Sequence, residues 1–200
     1  MANRPIPRTL TRAQQARHQR VIDAAMSLGL EGGYEAVQMR DVAARADVAM
    51  GTVYRYFVSK DHLLAAALVS WVEQLDSRLS QLPAQGDSAA ERVVDALDRA
   101  LRAMSRQPLL VAAVFASLSS PDPAAVECQE QVSVVMERII TRAIGEPHPP
   151  ELSDRARMLG HVWYSTLMGW VNGRSNINRV HDELVVAVGL LLPVDLYVLT

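Results

Sequence analysis

Apolar residues recur at helical spacing along most of the chain, and no stretch of useful length alternates as a half-buried strand does. A first helix begins near Thr11, and Gly32 with Gly33 supplies the left-handed conformation that helix ends favour. Two short helices follow, and Ser59 caps a long fourth one. Five more segments are predicted at about 89–106, 108–118, 123–144, 152–173 and 180–192. The pattern predicts an all-α fold of nine helices.

The second and third helices, around residues 39–46 and 50–57, are each only about two turns long. Helices this short are not stable alone in water, so they must pack against the first and fourth helices. The chain therefore divides into an N-terminal arm, a compact helix-turn-helix unit and a larger helical domain. Their predicted ranges are 1–20, 21–65 and 66–200.

The stretch GTVYRYFVSK, from Gly51 to Lys60, contains three of the ten aromatic residues and the only lysine. On a helix Val53 and Phe57 are four residues apart and share one face, which we expect to be buried. Thr52, Arg55 and Tyr56 then lie on the opposite face. Arginine can bond to guanine, threonine can meet a thymine methyl, and tyrosine hydroxyls can reach phosphates. This third helix is suited to the major groove of DNA.

The charge distribution also indicates a polyanionic partner. Residues 1–60 carry nine Lys or Arg against five Asp or Glu, a net charge of +4, whereas residues 61–200 carry eleven against seventeen, a net charge of −6. Five arginines precede the first acidic residue, which is typical of a basic arm that binds a polyanion. The alternative interpretation is a solvated tail without a partner. The five arginines are Arg4, Arg8, Arg12, Arg17 and Arg20.

Composition excludes several other classes of protein. The longest charge-free apolar runs reach about ten residues, roughly half of a bilayer span, so no membrane helix is expected. The N-terminus lacks the apolar run of a secretory signal, which predicts a cytoplasmic protein. A single cysteine, Cys128, excludes an internal disulfide and a cysteine metal cluster. Without a zinc-protease, phosphate-loop, Rossmann or G-x-S-x-G motif, we expect no enzyme and no cofactor.

Residues 21–65 resemble the DNA-binding domain of the TetR family of bacterial transcriptional regulators, whose signature is matched from Gly51 to Leu63. The chain departs from the family at Asp47, which replaces the usual turn glycine, and at Gln38 and Ala49, which replace the usual serine or threonine caps. We expect a slightly softer recognition unit. The resemblance implies contacts to double-stranded DNA from Arg40, Met50, Gly51, Thr52, Arg55 and Tyr56, with phosphate contacts from Tyr54 and Lys60.

A longer resemblance includes RAMSRQPLL at residues 102–110 and HVWYSTLMGWVNGR at residues 161–174. With the helix-turn-helix it is similar to TetR-type repressors of bacterial sterol catabolism, and it implies a response to the coenzyme A thioester of a steroid intermediate. Family practice also implies repression, and a homodimer through the last two helices, here residues 152–173 and 180–192.

The second half of the chain has apolar helix faces with few polar groups, which fit either plain core or a cavity for a flat apolar ligand. His161 could pair with a ligand carbonyl or serve as an interface residue. The alternative function is an all-α small-molecule carrier or sensor without DNA binding. Candidate ligand contacts are Leu101, Met104, Leu110, Val114, Phe115, Met136, Val162, Trp163, Thr166 and Trp170.

A mechanism follows for the regulator. Two recognition helices related by a two-fold axis read successive major grooves roughly 34–36 Å apart, so a small change in their separation releases DNA. We expect ligand among the helices of residues 89–170 to shift the helix that starts at Ser59, and the attached helix-turn-helix with it.

Overall fold

The computed structural model describes residues 11–145 and 150–192, which form nine α-helices and no β-strand. Arg4 and Arg8 of the predicted arm lie outside the described residues. In those two ranges no helix is long and apolar enough to cross a membrane. The helices are α1 Arg12–Ala36, α2 Met39–Arg45, α3 Met50–Tyr56, α4 Lys60–Gln81, α5 Ala89–Ser105, α6 Pro108–Ser117, α7 Pro123–Ile144, α8 Pro150–Val171 and α9 Ile177–Leu191.

The predicted all-α class and the order of the helices are confirmed. Helix α8 begins two residues earlier than expected, and α9 begins three residues earlier. Gly33 has the predicted left-handed conformation, with φ 68°. Gly32 and Gly33 both have non-helical backbone angles, so the regular helix stops at this pair as predicted, and a separate short helical turn then runs to Ala36.

Helices α1, α2 and α3 form the helix-turn-helix unit, which we call the head. Val42 of α2 and Val53 of α3 are fully buried, so these short helices are held by the core they share with α1 and α4. The turn between them passes through Asp47 at φ 52°, the left-handed conformation that aspartate tolerates. Neither Gln38 nor Ala49 makes a side-chain cap, as their residue types predict.

Helices α4 to α9 form the body. α4 belongs to both parts, since it packs against α1 of the head and against α6 and α7 of the body. α5 contacts α7 and α9, and α8 contacts α7 and α9. The head is also joined to the body where α1 crosses α6. Gly29 permits this approach, because a Cβ there would lie 2.9 Å from Leu110 Cδ1.

Candidate nucleic-acid interface and ligand cavity

Helix α3 has one buried face and one exposed face, as the sequence predicts. Val53 is 0% exposed and Phe57, at the end of the helix, is 1% exposed. Arg55 and Gly51 are exposed, and Tyr54 and Met50 keep 49% and 38% of their surfaces accessible. The packed side is therefore apolar, and the free side carries a guanidinium, a phenol and a thioether.

Thr52 and Tyr56 were predicted on the free face with Arg55, but both are half-buried and lie at its border. The Tyr56 hydroxyl donates a hydrogen bond to the backbone carbonyl of Gln14 at 3.3 Å. The Arg55 guanidinium carbon lies 5.2 Å from the centre of the Tyr56 ring, within range of a cation–π contact. Tyr56 thus ties α3 to α1 and supports the side chain of Arg55.

Lys60 lies at the first position of α4, next to the cap that Ser59 forms by accepting a hydrogen bond from the amide of His62 at 3.0 Å. The Lys60 ammonium is 3.7 Å from the centre of the Tyr34 ring. The Tyr34 hydroxyl donates to Asp61 Oδ1 at 2.6 Å, and this bond is the main reason that the pKa of Tyr34 is raised to about 12. Tyr34 was not predicted as part of the site, since its residue type alone suggests core packing.

Two other arginines of the head, Arg40 and Arg45, differ in exposure and in ion pairing. The Arg40 side chain is 88% exposed and has only a 3.7 Å contact with its neighbour Asp41. Arg45, in contrast, forms an ion pair with Glu31, including a 2.9 Å bond from Nη2 to Oε2, and also bonds to Ser27. Arg40 is available to a polyanion, whereas Arg45 is occupied within the protein.

The body contains a cavity of about 410 Å³ between α4, α7 and α8, with one residue each from α5 and α6. Its floor is apolar and includes the stacked pair Phe115 and Tyr164, whose ring centres are 5.9 Å apart. Its rim is polar, and most of the rim is exposed. The rim residues are Gln129, Glu130, Ser133, Glu137, Arg157 and His161.

The structure divides the ten predicted ligand contacts into three groups. Met104, Phe115, Met136 and Trp163 line the 410 Å³ cavity. Leu110 and Val114 line, with Met104, a much smaller neighbouring cavity of about 20 Å³. The remaining residues line neither: Leu101 is buried core, Thr166 bonds to the Trp163 carbonyl at 3.0 Å, and Val162 and Trp170 are half-buried elsewhere on α8.

Sequence reasoning missed the contribution of α4 to the cavity. Leu68, Trp71 and Leu75 line it, and Leu68 and Trp71 also line the smaller cavity. Their helical spacing was visible, but it indicates a buried face and not an empty volume beside it. The position of His161 on the rim fits the interpretation as a ligand partner. Among the described residues, no cluster of His, Cys, Asp and Glu could hold a metal ion.

Two protein-family models match the chain. The one described as "Bacterial regulatory proteins, tetR family" matches residues 21–67. The one described as "Tetracyclin repressor-like, C-terminal domain" matches residues 86–191. The first match runs from within α1 to the first turns of α4, and the second covers α5 to α9.

Individual proteins are also similar to this chain in sequence or in structure. The HTH-type transcriptional repressor KstR of Rhodococcus jostii (strain RHA1) is 43% identical over 183 residues, covering 90% of this chain and 84% of KstR. A TetR transcriptional regulator from Rhodococcus sp. RHA1 has a similar crystal structure, with a TM-score of 0.83, 35% identity and coverage of 92% and 99%. FadR from Bacillus subtilis, solved in complex with stearoyl-CoA, shares the fold with a TM-score of 0.60, 20% identity and coverage of 86% and 97%.

Proposed function

Because the chain belongs to the TetR family of ligand-responsive transcriptional regulators, we propose that it is a cytoplasmic repressor of steroid catabolism genes. It binds a near-palindromic operator as a homodimer. An apolar ligand, a steroid or its coenzyme A thioester, occupies the cavity of the body and releases the DNA. One observation carries this proposal. The exposed helix α3 is followed directly by α4, and α4 also lines an apolar cavity.

The DNA-binding role rests on the exposed side of the head. Arg55 and Tyr54 point away from the buried Val53. Lys60 adds a charge beside the free amides of the α4 N-terminus, an arrangement that attracts phosphate. We assign base contacts to Arg55, Thr52 and Met50, and phosphate contacts to Tyr54 and Lys60. Arg40, Gly51 and Tyr56 complete the interface.

A salt titration of operator affinity tests this assignment. Arg55→Ala should cost about 1–3 kcal/mol at one base position, because a bidentate contact to guanine is lost. Lys60→Ala should weaken all sequences alike and flatten the salt slope by about one unit. Arg102→Ala is the matched control, since this exposed arginine lies on α5 of the body. Binding that is absent, or that ignores salt, would favour the carrier function instead.

The homodimer rests on apolar residues that α8 and α9 expose. Val186 and Leu190 of α9 are 62% and 76% accessible, and Val185 and Met158 are each 42% accessible. Such a concentration of apolar surface on two adjacent helices is typical of an interface. A two-fold axis is also what a near-palindromic operator requires of two heads.

The ligand assignment rests on the chemistry of the cavity. Its apolar floor and stacked rings suit a flat or extended apolar body, and its volume falls in the range of small-molecule sites. Its exposed polar rim leaves a ligand's polar group in contact with water. The relationship to KstR and the stearoyl-CoA bound to FadR favour a steroid or acyl-CoA among such molecules.

A ligand panel tests this choice. Stearoyl-CoA, a four-ring steroid acid and the coenzyme A thioester of that acid are each titrated into the protein–operator complex, and DNA release is measured. Met136→Trp should reduce the effect of the active ligand at least tenfold, because the larger side chain fills the cavity that Met136 lines. Val126→Trp on the exposed side of the same helix should not. Equal responses from both variants would place the ligand elsewhere.

A further inference from the structure

The two helices that begin at the border of head and body share one hydrogen-bonded cap. Ser59 is the N-cap of α4 and Asp122 is the N-cap of α7. The Ser59 hydroxyl accepts from the His62 amide at 3.0 Å and donates to Asp122 Oδ2. The other oxygen, Oδ1, accepts from the Ala124 amide at 3.0 Å. One serine and one aspartate therefore cap both helices and bond to each other.

We call the hydrogen bond between Ser59 and Asp122 the first clasp, and a second clasp joins α4 and α7 further along. Asp76 of α4 is 8% exposed and accepts a hydrogen bond from Arg138 Nε at 2.8 Å, and Arg142 binds its other oxygen. The bonded residues are 63 apart in sequence at the first clasp and 62 apart at Arg138. With Arg142 the separation is 66, and because the bonded residues follow the same order on both helices, α4 and α7 run parallel and are joined near both ends.

The cavity lies between these two clasps. Trp71 and Leu75 line it from α4, and Gln129, Ser133 and Met136 line it from α7. A ligand that displaces the middle of α7 therefore acts on a helix whose start is bonded to the start of α4. The recognition helix α3 ends at Tyr56, three residues before Ser59. The first clasp is thus closer in sequence to the recognition helix than any part of the cavity is.

We infer that Ser59 and Asp122 couple the ligand cavity to the head, through a shared cap that makes the first turns of α4 and α7 move together. The inference rests on the proposed function, since it concerns how DNA binding and the cavity communicate. Linkage between sites is reciprocal, so DNA that holds the head still must also steady the start of α7. This effect can be measured without knowing the ligand.

Substitutions can separate the clasp from the caps. Ser59→Asp retains a good N-cap for α4 but sets two carboxylates against each other. Asp122→Ser retains a cap for α7 but removes the acceptor that reaches Ser59. Combining Ser59→Asp with Asp122→Ser restores a serine–aspartate pair with the roles exchanged. This combination shows whether the clasp itself matters, since both caps are present in all three variants.

Hydrogen exchange of the full-length protein, with and without a duplex that the wild-type protein selects from a random-sequence pool, provides the test. In the wild type the duplex should slow exchange of the amides of residues 124–128 at least about fivefold, the lower end of ordinary coupling between sites. Each single variant should lose this slowing while the amides of α3 remain protected. The combined variant should regain it.

Three results would overturn the inference. The amides of residues 124–128 could be unaffected by DNA in the wild type although α3 is protected. The single variants could retain the slowing, which would mean that ordinary packing carries the coupling. The combined variant could fail to restore it. A wild-type protein that selects no duplex at all would instead reject the proposed function, and this inference with it.

Discussion

Two aromatic side chains of the head each hold a cation against a ring. Tyr56 bonds to α1, and its ring lies against the Arg55 guanidinium. Tyr34 of α1 bonds to Asp61, and its ring lies against the Lys60 ammonium. An arginine or lysine held against an aromatic ring loses less conformational entropy when it meets an anion. Arg55 and Lys60, two of the three cations that we propose contact DNA, are thus already positioned in the free protein, whereas Arg45 is paired with Glu31.

Asp47 provides a test at this scale, because it alone among the described non-glycine residues has a positive φ, at 52°. Asp47→Gly should stabilise the protein by about 0.5–1 kcal/mol, since glycine adopts this conformation without strain. Asp47→Val should destabilise it by about 1–2 kcal/mol. Urea unfolding measures both. Asp87→Gly, in a loop without positive φ at that residue, serves as control and should give no gain.

At the scale of the helices, α1, α3 and α4 meet around one aromatic cluster in the head. The Phe57 ring is packed between two imidazoles, with ring-centre distances of 4.9 Å to His18 and 5.4 Å to His62. Burial is the main cause that lowers the pKa of both histidines. The charge of His62 lowers the pKa of His18 further, whereas Asp122 and Glu127 partly offset the effect of burial on His62.

These histidines predict that stability falls in mild acid. Above the ordinary histidine pKa of about 6.5, both rings are neutral in the folded and in the unfolded chain. Their protonation therefore does not affect the free energy of unfolding there. As pH falls below that value the unfolded chain takes up protons first, and the free energy of unfolding decreases. Replacing both residues, as His18→Asn with His62→Asn, should reduce the loss between pH 7.5 and 5.5 in urea unfolding. An unchanged loss would assign the pH dependence to other groups.

At the scale of the whole molecule, the proposed action of the head requires a second copy of the chain. One seven-residue recognition helix contacts only a few base pairs, so specificity requires two heads at a fixed separation. The cavity is lined mostly by α4, α7 and α8, and α4 follows α3 after three residues, so under the proposed function a ligand in the cavity acts on the helix next to the recognition helix. A ligand can therefore change DNA affinity without touching the DNA-binding residues.

Leu190→Lys tests this arrangement. A lysine at this 76% exposed position of α9 should prevent dimerisation, because two like charges would meet at the interface. Sedimentation should show a monomer, and operator affinity should fall roughly hundredfold as the two heads lose their linkage. Leu82→Lys is the control, since Leu82 is 66% exposed but lies at the end of α4. A dimer that survives Leu190→Lys would place the interface elsewhere.

Much of the structure of the head could be predicted from the sequence, because helix periodicity and turn conformation depend on residues that are close together in the chain. Val53 and Phe57 were predicted to be buried from their spacing, and Asp47 was predicted to tolerate the left-handed turn. The cavity was predicted less well, since Leu101, Val162, Thr166 and Trp170 line none of it and α4 was overlooked. An apolar face looks the same in sequence whether it packs against another helix or borders an empty volume.

By itself, the sequence determined the nine helices, the two faces of α3 and the family, since hydrophobic period, turn residues and a contiguous signature are all properties of short segments. Only the tertiary structure decided which apolar residues surround the cavity, that Tyr34 supports Lys60, and that Ser59 bonds to Asp122. The reason is physical. Each of these depends on residues tens of positions apart, and their separation is set by how whole helices pack.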